Sequence, residues 1–231
     1  MNLNILSGGA AQGLVTSLAP ALKARTGFYI AGEFGAVGAM ADKLRNGVAA
    51  DIIILTAALV AKLADEKLAV SSSIKDVGLV ETAVAVRARD SKVTVSDADD
   101  LRKLLLASDE IYVPDIKAST AGIHVAKVLA QLGITDGVAG RLKIYPNGAT
   151  AMRELASSNA AHPIGCTQST EIISTEGVQL CAALPKGCEL ATMYTAAVTA
   201  SAASPNQAQI LIELLTKADS GELRSRAGFA G

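Results

Sequence analysis

The stretch LNILSGGAAQGLV, Leu3 to Val15, reads as a strand that breaks at a glycine-rich corner and continues as a helix. Leu3, Ile5 and Leu6 suit a buried strand, and Leu14, Leu18 and Leu22 recur at helical spacing, which leaves Ser7 to Ala11 as the turn. N–H groups at such a helix start point outward and favour an anion. A nucleotide does not fit. Gly8 and Gly13 have the outer spacing of a phosphate loop, but Leu14 and Val15 stand where that loop needs Lys and Ser or Thr. The dinucleotide fingerprint fails as well, because no glycine follows three residues after Gly9. Two readings of the corner remain. It is a tight turn that needs glycine, or it seats a smaller anion on the N–H groups of Gly9, Ala10 and Ala11, with the Ser7 hydroxyl beside them.

Outward from this corner, strands and helices alternate. LNILS precedes a helix near Ala11 to Arg25, FYIAGEF a helix near Val37 to Asn46, and ADIIILT a helix near Ala58 to Glu66. A second series begins at LVETAVAVRA, followed by a helix opened by Ser96 and Asp97. EIYVPD, a helix from about Ala121 to Leu132, RLKIYP, a helix from about Ala149 to Ser157, PIGCT and VQLCAAL come next. The chain closes with TMYTAAVTA and a helix whose start is signed by Ser204, Pro205 and Gln207. The pattern is α/β with mainly parallel sheets and two lobes, and ligands are expected beyond the carboxyl ends of the strands. Those ends are small, polar or glycine-containing and poor in Lys and Arg. A buried anion there would be held by N–H and hydroxyl dipoles.

Composition narrows the function. The chain has 231 residues, half of them hydrophobic, which is ample for packed cores. Lys plus Arg at 21 against Asp plus Glu at 22 gives a net charge of -1 with no basic block, so no nucleic-acid partner is expected. Asp51 and Lys62 interrupt the longest apolar run, so no membrane insertion is expected. Cys166, Cys181 and Cys188 lack CxxC spacing, and only His124 and His162 are available as soft co-ligands, so neither a metal nor a cofactor is expected. With its first strand starting at Leu3, the sequence as written suits the cytoplasm, and a trimmed mature form suits the periplasm.

The order LNILSGGAAQGLV, GEFGAVGAMADKLRNGVAADIIILT, YVPDIKASTAGIHVAKVLAQLG, HPIGCTQSTEI and MYTAAVTASAASPNQAQILIELL resembles the molybdate-binding type 2 periplasmic binding proteins, in register from Leu3 to about Phe229. KLRNGVAADIIILT and VPDIKASTAG are its most specific pieces. The resemblance implies two Rossmann-like lobes joined by two crossing strands, near Ala83 to Val86 and Tyr194 to Val198, which close on a ligand in a cleft. The lobes would be residues 1–82 with 196–231, and 83–195. It also implies a small anionic ligand and, for an exported protein, an ABC permease as partner.

The family's ligand positions carry over in part. Ala10 stands where molybdate binders have Ser, and Gly35 to Gly38, with Ala36 and Val37, stand where they have a serine run. Gln168 takes the place of their Tyr, while Ala121 and Ala149 keep backbone N–H groups at helix starts. Thr120 and Ser169 add hydroxyls, and Tyr194 is a hinge residue whose hydroxyl could reach the cleft. Each missing hydrogen bond to a desolvated oxyanion costs about 1.5–3 kcal/mol, which favours an organic di- or tricarboxylate over molybdate. The resemblance extends to an enzymatic branch, aconitate isomerase, which moves a proton along a tricarboxylate. Glu33 and Asp115, both near strand ends, are the candidate proton-transfer carboxyls for that alternative. For each, a plainer role stands beside it: Glu33 facing solvent, Asp115 capping a turn.

Overall fold

In the computed structural model the described residues run from 1 to 230. In chain order the strands and α-helices are β1 Asn2–Gly8, α1 Gln12–Thr26, β2 Tyr29–Gly35, α2 Val37–Arg45, β3 Ile52–Thr56, α3 Ala57–Asp65, β4 Lys75–Arg87 and α4 Ala98–Ala107. They continue with β5 Glu110–Pro114, α5 Thr120–Gln131, α6 Thr135–Val138, β6 Leu142–Tyr145, α7 Gly148–Ser157, β7 Pro163–Gln168, α8 Ser169–Ile173 and β8 Val178–Ala183. Last come β9 Ala191–Val198, α9 Pro205–Thr216 and α10 Gly221–Arg226. The chain divides into two compact units, Met1–Val80 with Thr192–Gly231, and Glu81–Ala191. It passes from the first to the second inside β4 and returns at the start of β9.

In unit 1 the strands run β2-β1-β3-β9, the first three parallel and β9 antiparallel to β3. Parallel strands covered on both faces lose the period-two pattern. Ile52 to Leu55 in β3 are all fully buried, whereas edge strand β2 is half-exposed throughout. The core gathers Leu3 and Ile5 of β1, Leu14, Leu18 and Leu22 of α1, and Leu211 and Leu215 of α9. Asp51, 1% exposed, ties three segments together. Its Oδ2 accepts from the Asn4 N–H and its Oδ1 from the Ser204 N–H, both at 2.8 Å. Ser204 is the N-cap of α9 and Pro205 its first residue, as the sequence predicts; the Ser204 side chain makes no capping bond, and its N–H anchors the helix start to Asp51.

In unit 2 the order is β6-β5-β7-β4, with β8 also paired to β4; β5, β6 and β7 are parallel, and β4 is antiparallel to β7 and β8. Alternation along each strand separates two faces. Val84 and Val86 of β4, Ile111 and Val113 of β5, and Ile164 and Cys166 of β7 pack with Leu101 and Leu105 of α4 and Val125, Val128 and Leu129 of α5. Ala83, Ala85 and Tyr112 pack on the opposite face with Ala151, Met152 and Leu155 of α7 and Ile172 of α8. Away from the carboxyl ends, the buried Arg87 closes the sheet. Its guanidinium bonds the Asp90 carboxylate and the carbonyls of Ser158 and Ala160.

Candidate functional site

In unit 1 the carboxyl ends of three strands converge. Gly8 lies opposite Gly35 in the β1–β2 register, and Thr56 lies opposite Tyr194 in the β3–β9 register. A Cβ at Gly8 would come 2.8 Å from both Tyr194 Cε1 and Val37 Cγ1, so this glycine is required by close approach. Gly9–Ala11 form a buried single turn that leads into α1, and Ala36 is the N-cap of α2. Neither α1 nor α2 has a side-chain cap, and neither carries an acidic residue in its first turn. The Ser7 hydroxyl is fully buried and donates to the Gly8 carbonyl at 2.9 Å. Tyr194 is 1% exposed, its ring edge-on to Phe229. Ser7, Gly9, Ala10, Ala11, Ala36, Val37 and Tyr194 therefore belong to one corner.

Unit 2 presents two corners, one on each face of its sheet. On the α5 face, α5 starts hard against the end of β5: a Cβ at Gly122 would lie 2.2 Å from the Asp115 carbonyl oxygen. Only glycine fits there, which explains the STAG sequence. Ser119, the N-cap, makes no side-chain capping bond to the turn that contains Thr120 and Ala121. Gln168, 4% exposed, ends β7 and lies opposite Thr82 of β4. Thr82 shares the α5 face with Val84 and Val86 by alternation. Its hydroxyl is buried without a hydrogen-bond partner among the described residues, and so is that of Thr170.

On the α7 face the corner is already filled. Glu171, 4% exposed, places its carboxylate at the start of α7 and accepts from the Thr167 hydroxyl at 2.6 Å. The nearby backbone N–H groups of Gly148, Gln168 and Ala149 favour its charged form. Burial pushes the Glu171 carboxyl above its ordinary pKa, opposed by those donors. A Cβ at Gly148 would sit 1.9 Å from Glu171 Oε2, so a glycine at the first position of α7 makes room for the carboxylate. The next α7 donor, the Thr150 N–H, bonds Asn147 Oδ1 at 2.8 Å. Glu171 and Thr82 were missed in the sequence. A Glu three residues after an N-cap is the one signal that could have raised Glu171.

Of the two carboxyls considered for proton transfer, Asp115 directly follows β5 beside the α5 start, and Glu33 lies on edge strand β2. Glu33 is half-exposed on β2 and ion-paired with Lys43. Asp115 Oδ1 accepts from the N–H groups of Lys117 at 2.7 Å and Ala118 at 2.9 Å, which hold its carboxyl below the usual range. That is a turn cap whose charged form is stabilised, which makes a weak base. His124 bonds the Cys188 carbonyl at 2.8 Å, and the three cysteines are free thiols. Among the described residues no cluster of His, Cys, Asp or Glu is placed to hold a metal ion, and no helix is long and apolar enough to cross a membrane.

Two α/β units joined through β4 and β9, with helix starts gathered at the strand ends of each, define a type 2 periplasmic binding protein fold. The chain belongs to the bacterial extracellular solute-binding protein family, whose model matches residues 3–230. An aconitate isomerase from a Pseudomonas species is 22% identical over 238 residues, covering 98% of this chain and 87% of that protein. The periplasmic molybdate-binding protein of Azotobacter vinelandii superposes with a TM-score of 0.81 at 18% identity, covering 99% of both chains. The sulfate-binding protein SubI of Mycobacterium tuberculosis superposes with a TM-score of 0.76 at 20% identity, covering 99% of this chain and 86% of that one.

Proposed function

We propose that this chain is a solute-binding protein for a small anion, an organic di- or tricarboxylate ahead of a tetrahedral oxyanion. The observation that carries this reading is the set of helix starts without side-chain caps at the ends of β1, β2 and β5, beside Ser, Thr, Gln and Tyr side chains. Such a lining holds a desolvated anion by dipoles. Sulfate and molybdate binders share the fold, which fits anion chemistry. The missing Ser at Ala10 and the Ala36–Val37 turn favour a ligand that is not molybdate. As a member of an extracellular family the protein would work outside the cytoplasm, delivering its ligand to an ABC permease.

A thermal-shift screen of oxyanions and di- and tricarboxylates tests this. At about 100 times its Kd a true ligand stabilises by roughly 2.7 kcal/mol. A strong shift with molybdate or tungstate and none with carboxylates would reverse the order of preference, and no shift with any anion would end the reading. The likeness to an aconitate isomerase supports a second one, proton transfer on a bound tricarboxylate. Incubation with trans-aconitate in D₂O, followed by NMR, separates the two: binding without conversion or deuterium uptake leaves only the binding protein.

A further inference from the structure

The corner at the end of β1 owes its shape to residues far from it in sequence. Tyr194, 1% exposed, lies against Gly8: a Cβ there would come 2.8 Å from Tyr194 Cε1 and 3.5 Å from its hydroxyl oxygen. Gly8 leads directly into the Gly9–Ala11 turn, so the tyrosine ring packs on the residue that aims the N–H groups of that turn. What holds the ring is the segment Gly228–Ala230. Phe229, 4% exposed, meets Tyr194 edge-on, with ring centroids 6.4 Å apart and ring planes at 89°. The segment is itself pinned on two sides. The Ala230 N–H donates to the Leu79 carbonyl and the Leu79 N–H to the Ala230 carbonyl, both at 2.8 Å, while the Phe229 N–H donates to the Arg224 carbonyl at 2.9 Å. A Cβ at Gly78 would stand 3.1 Å from the Ala230 carbonyl oxygen and 3.2 Å from Phe229 Cβ, so glycine there lets the segment lie close on β4. Leu79 precedes Val80, where β4 leaves unit 1, and Tyr194 follows soon after Thr192, where β9 returns to it. One segment therefore braces both strands through which the chain leaves and re-enters the unit.

We infer that Phe229 is a positioning residue for the anion corner of unit 1, acting through Tyr194: it fixes the end of β1 and with it the N–H groups of Gly9, Ala10 and Ala11. This rests on the anion-binding reading above. Removing the Phe229 ring opens a cavity into which the Tyr194 ring can lean, and in a close-packed interior the Gly8 backbone that Tyr194 abuts then loses its support.

The test compares Phe229→Ala and Phe229→Leu with Leu211→Ala, which empties a fully buried site on α9 in the same core. Hydrogen exchange of the unliganded proteins is followed over Ile5 to Leu14, and affinities for citrate, cis-aconitate, trans-aconitate, sulfate and molybdate are measured by calorimetry. Both alanine variants lower the melting temperature. Only Phe229→Ala should speed exchange at the corner beyond what the lost global stability accounts for. Only it should weaken each anion that binds the wild type by roughly tenfold or more, the equivalent of about one charge-assisted hydrogen bond. Phe229→Leu, which refills most of the space, should fall between it and the wild type in both readouts. Should Phe229→Ala not fold, the same comparison runs between Phe229→Leu and Leu211→Ala. Corner exchange no faster than in Leu211→Ala, or an affinity within about twofold of the wild type for an anion that does bind, overturns the assignment and leaves the anion reading standing. If no probe binds the wild type, the anion reading falls and the assignment falls with it.

Discussion

Replacing Glu171 by Ala removes the acceptor of the buried Thr167 hydroxyl and a carboxyl whose charged form the N–H groups of Gly148, Gln168 and Ala149 favour. Each donor left dry costs about 1–3 kcal/mol. Water entering the vacated space offsets part of this, and the variant is spared the desolvation of a carboxyl that is 4% exposed. The balance is a loss of about 3–5 kcal/mol, comparable to removing one partner of a buried charged pair. For a chain of this size that lowers the melting temperature by roughly 6–20 °C. Urea unfolding at neutral pH reads the loss directly. Formate or acetate, which can refill the carboxylate position, should restore part of it in Glu171→Ala and do nothing comparable to the wild type. Glu171→Gln adds the pH test. Because the folded pKa lies above the unfolded value, which is near 4.5, the carboxyl's contribution is fully present below that value. It is lost as pH rises through the folded pKa, so the stability of wild type minus Glu171→Gln should decline with rising pH. A loss in Glu171→Ala under 1 kcal/mol, or a wild-type advantage that grows with pH above about 4.5, refutes the argument.

Gly122→Ala forces a methyl to within 2.2 Å of the Asp115 carbonyl, a backbone atom that cannot swing aside, so α5 must shift from β5; a loss of at least about 3 kcal/mol is expected by urea unfolding. Asp51→Ala leaves the Asn4 and Ser204 N–H groups without their acceptor and should cost about 2–4 kcal/mol, with faster hydrogen exchange at the start of α9. Cys166, buried and with its thiol pushed up to about 12, should resist a thiol reagent in the folded protein, while the half-buried Cys181 reacts first; mass spectrometry of the labelled peptides distinguishes them. Ala10→Ser adds a hydroxyl at the unit 1 corner and should strengthen or preserve oxyanion binding while crowding a larger carboxylate, as read by thermal shift.

The fold was legible wherever burial wrote itself into consecutive residues. Ile52 to Leu55 read as a strand buried on both faces, and the leucines of α1 read as a helix stripe, because neither depends on distant partners. Glycines at strand-to-helix corners were readable as turns, but the reason for each was not. Gly8 is fixed by Tyr194, nearly two hundred residues later, and Gly148 by Glu171 from another helix. Edge strand β2 has little periodicity because it is half-exposed throughout, and its Glu33 looked poised only because strand ends are where chemistry is sought. Asp115 was ambiguous for the opposite reason. An Asp after a strand caps the next turn and can also meet a ligand, and the capping role shows only in its bonds to the Lys117 and Ala118 N–H groups.

The placement of buried charge argues for how an anion can be held without cations. A helix start attracts negative charge with a field equivalent to about half a unit, and the starts of α2 and α5 carry no side-chain cap, whereas the start of α7 is spent on Glu171. Burial favours the neutral form of that carboxyl, so what it takes from an incoming anion is the space at the start of α7 and the Thr167 hydroxyl. A carboxylate ligand can turn its charged groups toward the α5 start and its carbon skeleton toward the α7 face. Discrimination between the two ligand classes would then lie less in the number of donors than in which face of the unit 2 sheet the protein has already filled with its own carboxyl.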